Sequence, residues 1–326
     1  MRRFLILLLL CAFPGFASAG PMRWTYVELG VPAGSLWSWA AGISNRGEIV
    51  GSSMAPGDVN HGFLWRKGTM LDMGVPPGHT SFAASAINDR GEIVGYTRFA
   101  SAWAWKNGAW TDLGFRGAPA KVNRFGDIAG IVYPPDTGLA HASVMEDGTL
   151  VDLGTLGGSF SSATAINDAG HVVGIANLAD GTSHPFLWQD GVMTDLGALN
   201  PLSPGYTGAN AINDHGEIVG YSQDVAGGPA TAWVYKKSMR VLLEAAFPRA
   251  INNHGDVVGE TYVSGSWVPF LLADGVLTRI DRIPEVASEG FTSFILLDIN
   301  DHGWIVGNGW KAGSDYSTAF LLVPKR

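Results

Sequence analysis

One ten-residue phrase recurs along this chain. AINDRGEIVG, beginning at Ala86, returns as AINDAGHVVG from Ala165, AINDHGEIVG from Ala211, AINNHGDVVG from Ala250 and DINDHGWIVG from Asp298. Two looser copies are GISNRGEIVG from Gly42 and KVNRFGDIAG from Lys121. The turn glycines Gly47, Gly91, Gly126, Gly170, Gly216, Gly255 and Gly303 are spaced 44, 35, 44, 46, 39 and 48 residues apart, a mean of about 43. A period of roughly 40 to 50 residues, with several strands and turn signals in each copy, is the mark of propeller blades.

Each copy reads as four short strands. The first ends in AIN. Asn-Asp-x-Gly then makes a tight turn, because Asn and Asp bond to local backbone and Gly accepts positive φ. EIVG opens the second strand. The third is HGFLW at His61, SAWAW at Ser101, HPFLW at His184, TAWVY at Thr231 and TAFLL at Thr318. A turn such as KNG or QDG leads to the fourth, which ends in Asp-Leu-Gly at Asp112, Asp152 and Asp195. No stretch sustains helical periodicity, so each repeat is expected to be one twisted antiparallel sheet.

The last repeat stops at a third strand, STAFLLVPKR, while RWTYVELG near the start, Arg23 to Gly30, is a fourth strand without the first three. The two are expected to complete one blade and remove the open sheet edges. The fold class is therefore read as all-β: a seven-bladed β-propeller of four-stranded antiparallel blades, its ring closed by the N-terminal strand 23–30. First strands such as SSATAIN and TGANAIN are rich in alanine, a poor strand former alone. These alanines are read as packing where inner strands converge on the axis.

Residues 1–19, MRRFLILLLLCAFPGFASA, have a basic start, an apolar run and a small-x-small end at Ala17-Ser18-Ala19. This is a secretory signal peptide in form, and the apolar run is shorter than the roughly 20 residues a spanning helix needs. Residues 20–326 are then one domain of seven repeats, secreted or periplasmic, without membrane insertion after cleavage. Cys11 is the only cysteine, so no disulfide supports the mature chain. Removing Arg2 and Arg3 from 21 basic residues leaves 19 against 29 acidic ones, a formal charge of −10. That balance argues against nucleic acid and anionic lipid as partners.

HGFLW, HPFLW and TAFLL, together with INDxGxIVG and DLG, resemble the HAF-repeat proteins, bacterial secreted or envelope proteins named for a His-Ala-Phe triplet. The resemblance implies an extracytoplasmic repeat protein and no particular chemistry. The third repeat carries HAS at His141, and the fifth and sixth have no His at this position. A catalytic role for the triplet is accordingly not expected.

The Asn-Asp-x-Gly turns share one face; the loops from second to third strand, and from fourth to the next first, share the other. The turn face is regular in sequence and the loop face varied, and repeat scaffolds bind where they vary. On the turn face, Asp89, Asp168, Asp214 and Asp301, and Glu48, Glu92, Asp127, Glu217 and Asp256 after the glycines, lack the dense spacing of calcium loops. His215, His254 and His302 stand at turn tips, too far apart to share a metal. No metal or cofactor is expected. His61, His141 and His184 open third strands and are read as paired to backbone or turn groups. Trp65, Trp105, Trp188 and Trp233 are read as packing between blades.

The ligand-binding candidates are loop residues: Trp37, His79, Phe82, Arg98, Tyr133, Asp136, Asp180, Tyr206, Trp267, Trp310 and Tyr316. Aromatic groups interleaved with polar ones suit carbohydrate stacking or a protein contact. No nucleophile elbow, zinc-protease helix motif or phosphate loop is present. The expected function is a monomeric, non-catalytic binding or scaffold module for a polysaccharide or envelope protein. The alternative is a polysaccharide-acting hydrolase or lyase using carboxylates such as Asp136 and Asp180.

Overall fold

A computed structural model describes residues 23–57, 59–199, 205–223 and 230–325. The segment read as a signal peptide lies outside the described residues. Twenty-seven strands account for nearly all the regular structure; one 3₁₀ turn, Ile280–Arg282, and one four-residue helix, Pro284–Ala287, interrupt them. Among the described residues no helix is long and apolar enough to cross a membrane.

The fourth repeat shows how the phrase builds its strands. Gly157–Ile166, Val172–Leu178, Ser183–Gln189 and Val192–Asp195 form an antiparallel meander. Between the first two strands, the Gly170 N–H donates to the Asn167 carbonyl at 3.1 Å, with Gly170 at φ 77°. Val172, Val173 and Phe186 are fully buried, whereas the last strand is largely exposed. The VVG run is continuous rather than alternating because neighbouring sheets cover both of its faces. Packed clusters join adjacent repeats: Val50 and Leu64 of the first pack with Ile93, Trp103 and Trp105 of the second. Trp65, Trp105 and Trp233 are buried and Trp188 is half-buried, as expected of residues that pack between sheets.

Three repeats are separate four-stranded sheets, and two pairs of repeats run together. In the second and third, one strand, Ala109–Val122, serves as the fourth of one and the first of the next, giving a seven-stranded sheet. The cause is length. The spacing from Gly91 to Gly126 is the shortest of the six, and it leaves no residues for a separate loop. In the fourth and fifth, a single parallel bridge, Ser183 to Tyr206, joins the two sheets. The expectation of one sheet per repeat is corrected to that extent.

In every repeat the pairing of first and second strands slips at one shared place, a β-bulge: between Ala40 and Gly42, Ala163 and Ala165, Leu296 and Asp298, and their equivalents; the fourth and seventh repeats slip a second time, further from the turn. The IVG glycine lies opposite. Across from this bulge, a Cβ on Gly174 would stand 2.0 Å from the Ser162 carbonyl oxygen. The same approach, 2.0–2.3 Å, holds at Gly51, Gly95, Gly130, Gly220, Gly259 and Gly307. Steric exclusion, not positive φ, keeps a glycine there.

Arg23–Glu28 pairs antiparallel with Ser317–Lys325, Arg23 opposite Lys325 and Glu28 opposite Phe320. Trp24 of that strand is buried among Leu296, Phe320 and Leu322. The last repeat also reaches the first: buried Asn308 accepts the Ala40 N–H at 2.8 Å and donates to the Ala40 carbonyl at 3.1 Å.

Candidate functional site

The first Asn of the turn phrase does two jobs. Within its own turn, the Asn167 Oδ1 accepts the N–H of Ala169 at 3.1 Å and of His171 at 3.0 Å. Its Nδ2 donates across to the Asn213 carbonyl of the next repeat at 3.1 Å. The same cross-link runs from Asn88 to Asn123, Asn123 to Asn167, Asn213 to Asn252, Asn252 to Asn300, and Asn300 to Ser44, at 2.8–3.2 Å. Asparagine fits because its amide carries both donor and acceptor. The first repeat has Ser44 instead and cannot send this bond to the second.

Asn167→Ala is expected to cost about 2–3 kcal/mol in denaturant unfolding, since one buried and two half-buried bonds go and their partners lose them. Ser44→Asn, which supplies the missing donor, is expected to gain about 0.5–1.5 kcal/mol. A loss below 1 kcal/mol for the first would mean that these bonds only decorate the turn.

The second turn position makes a parallel set of bonds. The N–H groups of Asn45, Arg124, Asp168, Asp214, Asn253 and Asp301 donate to side-chain oxygens of Asp89, Asp168, Asp214, Asn253, Asp301 and Asn45 in turn, at 2.6–3.0 Å. Burial raises the Asp168 carboxyl above its ordinary value, and the Asp214 carboxylate adds to this despite the Arg124 N–H. The turn carboxylates are thus inter-repeat fasteners, a role that turn chemistry alone does not reveal. Among the described residues no group of three or more His, Asp or Glu side chains is placed to hold a metal ion. His215, His254 and His302 are exposed.

These turns border a cavity of about 190 Å³, lined by residues of all seven repeats, from Ser44 and Asn45 to Asn300 and Asp301. Ala165, Ala211 and Ala250, each the first residue of a turn phrase, are buried and line it. Where the phrase begins with another residue, the change is paired: Lys121 of the third repeat reaches Asp298 of the seventh, Nζ to Oδ2 2.8 Å. Asp298 also accepts the N–H of Ile43 at 3.2 Å and of Ile299 at 3.1 Å. An internal ion pair therefore stands among the residues that line this cavity at the turn end.

Lys121→Met is expected to cost about 1–3 kcal/mol, less than for a fully buried pair because Lys121 is one-third exposed. Lys121→Met with Asp298→Asn should recover part of that. Strict additivity in the double-mutant cycle would show that the two charges do not interact.

The third-strand histidines are explained by the fourth-strand aspartates. His61 meets Asp72, His141 meets Asp152 and His184 meets Asp195, Nδ1 to carboxylate 2.8–3.1 Å. Each Asp also accepts the N–H of the glycine two residues on, at 2.7–2.8 Å. The histidines were expected to pair with backbone or turn groups; their partner is instead the Asp of Asp-Leu-Gly. The 11-residue separation within each pair was the available signal.

The loop-face candidates do not form one cluster. Phe82 is fully buried, edge-to-face on Trp110 at 4.7 Å. His79 packs edge-on to Trp103 at 5.4 Å, and Trp310 likewise to Trp39 at 5.7 Å. Trp37 is half-buried, its carbonyl accepting the Met54 N–H. The Tyr133 ring lies under the Arg116 guanidinium at 5.6 Å. Asp136 is exposed. Asp180 is exposed too, and two bonds from Thr182, hydroxyl first and N–H second, hold its carboxyl below the ordinary value. Tyr206 is 69% exposed, Trp267 46% and Tyr316 43%; Trp267 stacks edge-on with Tyr262.

A second cavity, about 590 Å³, opens on the loop face between the first two repeats. Asn60, Thr80, Ser81, Tyr96 and Arg98 are among its walls, with Phe82 as part of the floor. Tyr96 was the residue that sequence reasoning missed, because it follows an IVG glycine and reads as ordinary strand.

Antiparallel sheets tied repeat to repeat define an all-β, propeller-like protein. No family model matches the chain, and no curated protein matches it in sequence. Solved structures are similar in fold. An oligogalacturonate lyase from Vibrio parahaemolyticus superposes with TM-score 0.59 at 9% identity over 93% of this chain and 96% of that one. YCF48, bound to D1 peptide, gives 0.55 at 11% identity over 93% and 97%. A puromycin-hydrolyzing peptidase from Mycobacterium tuberculosis gives 0.57 at 13% identity over 88% of this chain, which spans only 52% of that longer chain.

Proposed function

We propose that this chain is a seven-bladed propeller closed by its N-terminal strand. In this reading it is an exported HAF-repeat protein that acts without catalysis, binding a glycan or an envelope protein through its loop face. Fold does not choose among functions, since the similar structures include a lyase, a peptidase and a peptide-bound protein.

The carrying observation is where the exposed aromatic side chains fall. Of the seven among the described residues, Tyr96, Phe99, Tyr206, Tyr262, Trp267 and Tyr316 stand on the loop face, and only Phe125 on the turn face. On the turn face, the polar groups nearest the axis are engaged in holding repeats together. On the loop face, aromatic surface is open to a partner, which favours binding there.

The hydrolase reading asks for a carboxyl kept protonated by burial. Asp180 has the opposite setting, an exposed turn that lowers it.

The test is retention of residues 20–326 on a panel of bacterial and plant polysaccharides, with new reducing ends followed in parallel. A Phe99→Ala, Tyr206→Ala, Trp267→Ala triple variant runs beside it. Retention that is lost in the variant, with no product, is the expected result. Product formation would overturn the non-catalytic reading. Retention unchanged in the variant would move the binding surface off this face.

A further inference from the structure

We infer that the loop-face cavity between the first and second repeats binds an acidic saccharide, with Arg98 holding its carboxylate. The inference rests on the loop-face reading above and gives that face a ligand class.

The cavity, about 590 Å³, lies in the size range of small-molecule sites, roughly 300–1,000 Å³. Its described walls carry no Asp or Glu, and the one charge on them is the Arg98 guanidinium; Asp58, between Gly57 and Val59 in sequence, lies outside the described residues. That matters in a protein whose mature chain has a formal charge of −10. Among the described residues Arg98 has no acidic partner, unlike Lys106, which pairs with Glu92, Arg249 with Glu260 and Lys311 with Glu28. A guanidinium presents a planar fork of donors that matches a carboxylate in bidentate fashion.

The base of the site is already ordered. The Arg98 N–H donates to the Ser81 Oγ at 3.0 Å, and the Phe82 N–H donates to the Asn60 carbonyl at 2.8 Å. The Phe82 bond joins the two repeats, and the Ser81 bond fixes the backbone from which Arg98 projects, so less ordering remains to be done on binding. The Asn60 side-chain amide has no partner among the described residues, and Thr80 lies exposed at the rim. Such amide and hydroxyl groups suit the alternating donors and acceptors of sugar hydroxyls. Tyr96, 38% exposed, offers a ring face on which the apolar side of a pyranose can lie. An anionic group, several hydroxyls and one flat apolar face together describe a uronate-containing saccharide better than a peptide or a neutral glycan.

Isothermal titration tests this with two probes of equal length: an alginate-derived tetraguluronate and the same tetrasaccharide after reduction of its carboxyls to alcohols. The proteins are residues 20–326 in native form, Arg98→Ala, Arg98→Lys and Trp267→Ala, each checked for an unchanged thermal transition. We expect native protein to bind the tetraguluronate at least tenfold more tightly than the reduced form. Arg98→Ala should lose at least tenfold toward the tetraguluronate alone, Arg98→Lys should lose less, and added salt should weaken only the charged probe. Equal binding of the two probes, or binding unchanged in Arg98→Ala, overturns the inference. If that binding instead falls in Trp267→Ala, the cavity fails while the loop-face reading stands. Absence of binding by either probe also overturns it, and the polysaccharide panel then decides the broader reading separately.

Discussion

Replacing Gly174 by alanine is expected to remove at least about 3 kcal/mol from the unfolding free energy, at the upper end of overpacking effects. The added methyl would sit 2.0 Å from the Ser162 carbonyl oxygen and 2.9 Å from the Phe186 ring. The ring can turn. The carbonyl belongs to the bulged first strand, whose bonds to the second strand fix it on both sides of the slip. Relief therefore means opening the ladder next to the turn phrase, and the Asn167 cross-link to the next repeat goes with it. Gly208→Ala is the control: its nearest neighbours would be side-chain atoms at 3.4 Å, so it should be close to neutral. Urea denaturation of both variants gives the answer. If the two differ by less than 1 kcal/mol, the bulge yields and its carbonyl does not exclude a side chain.

Much of the fold could be read from the phrase itself. AIN, the Asn-Asp-x-Gly turn and IVG announced strand, turn and strand correctly, and the pairing of Arg23–Glu28 with Ser317–Lys325 followed from what each end lacked. The long-range duties of the same residues were not readable. An Asn in a turn is already explained by its own turn, so nothing local reveals that Nδ2 reaches the next repeat. Lys121 and Asp298 stand where four other copies of the phrase have alanine, and nothing local links them. They are 177 residues apart in sequence, and only the folded arrangement of the first strands makes them partners. Merging of the second and third repeats was signalled by the 35-residue spacing, but spacing cannot say whether a loop shortens or a strand continues. The loop-face candidates were the least legible. Aromatics at a strand end serve equally as cover or as contact surface. Phe82 and Trp310 turned inward, whereas Tyr206 and Trp267 did not. Local sequence carries no information on which neighbour will shield them.

A chain that begins at Val31, without Arg23–Glu28 and the two residues after it, is expected not to reach the native state. The strand supplies a full antiparallel edge partner to Ser317–Lys325. It also places Trp24, fully buried, against Leu296, Phe320 and Leu322. Trp24→Ala alone should cost about 3–5 kcal/mol, as for other buried large aromatics. Loss of the whole strand adds an unpaired edge in the middle of an apolar wall, and exposed edges invite pairing with another chain. The shortened protein should therefore elute as oligomers and lose its cooperative thermal transition. A synthetic peptide of residues 20–30, added in excess, should restore both the monomer and the transition, because the proposed ring needs the strand but not its covalent link to Val31. Size-exclusion chromatography with thermal melts, with and without peptide, separates the cases. A shortened chain that stays monomeric and melts within a few degrees of the full one would mean that the last sheet is stable with three strands, and that the N-terminal strand covers the ring without closing it.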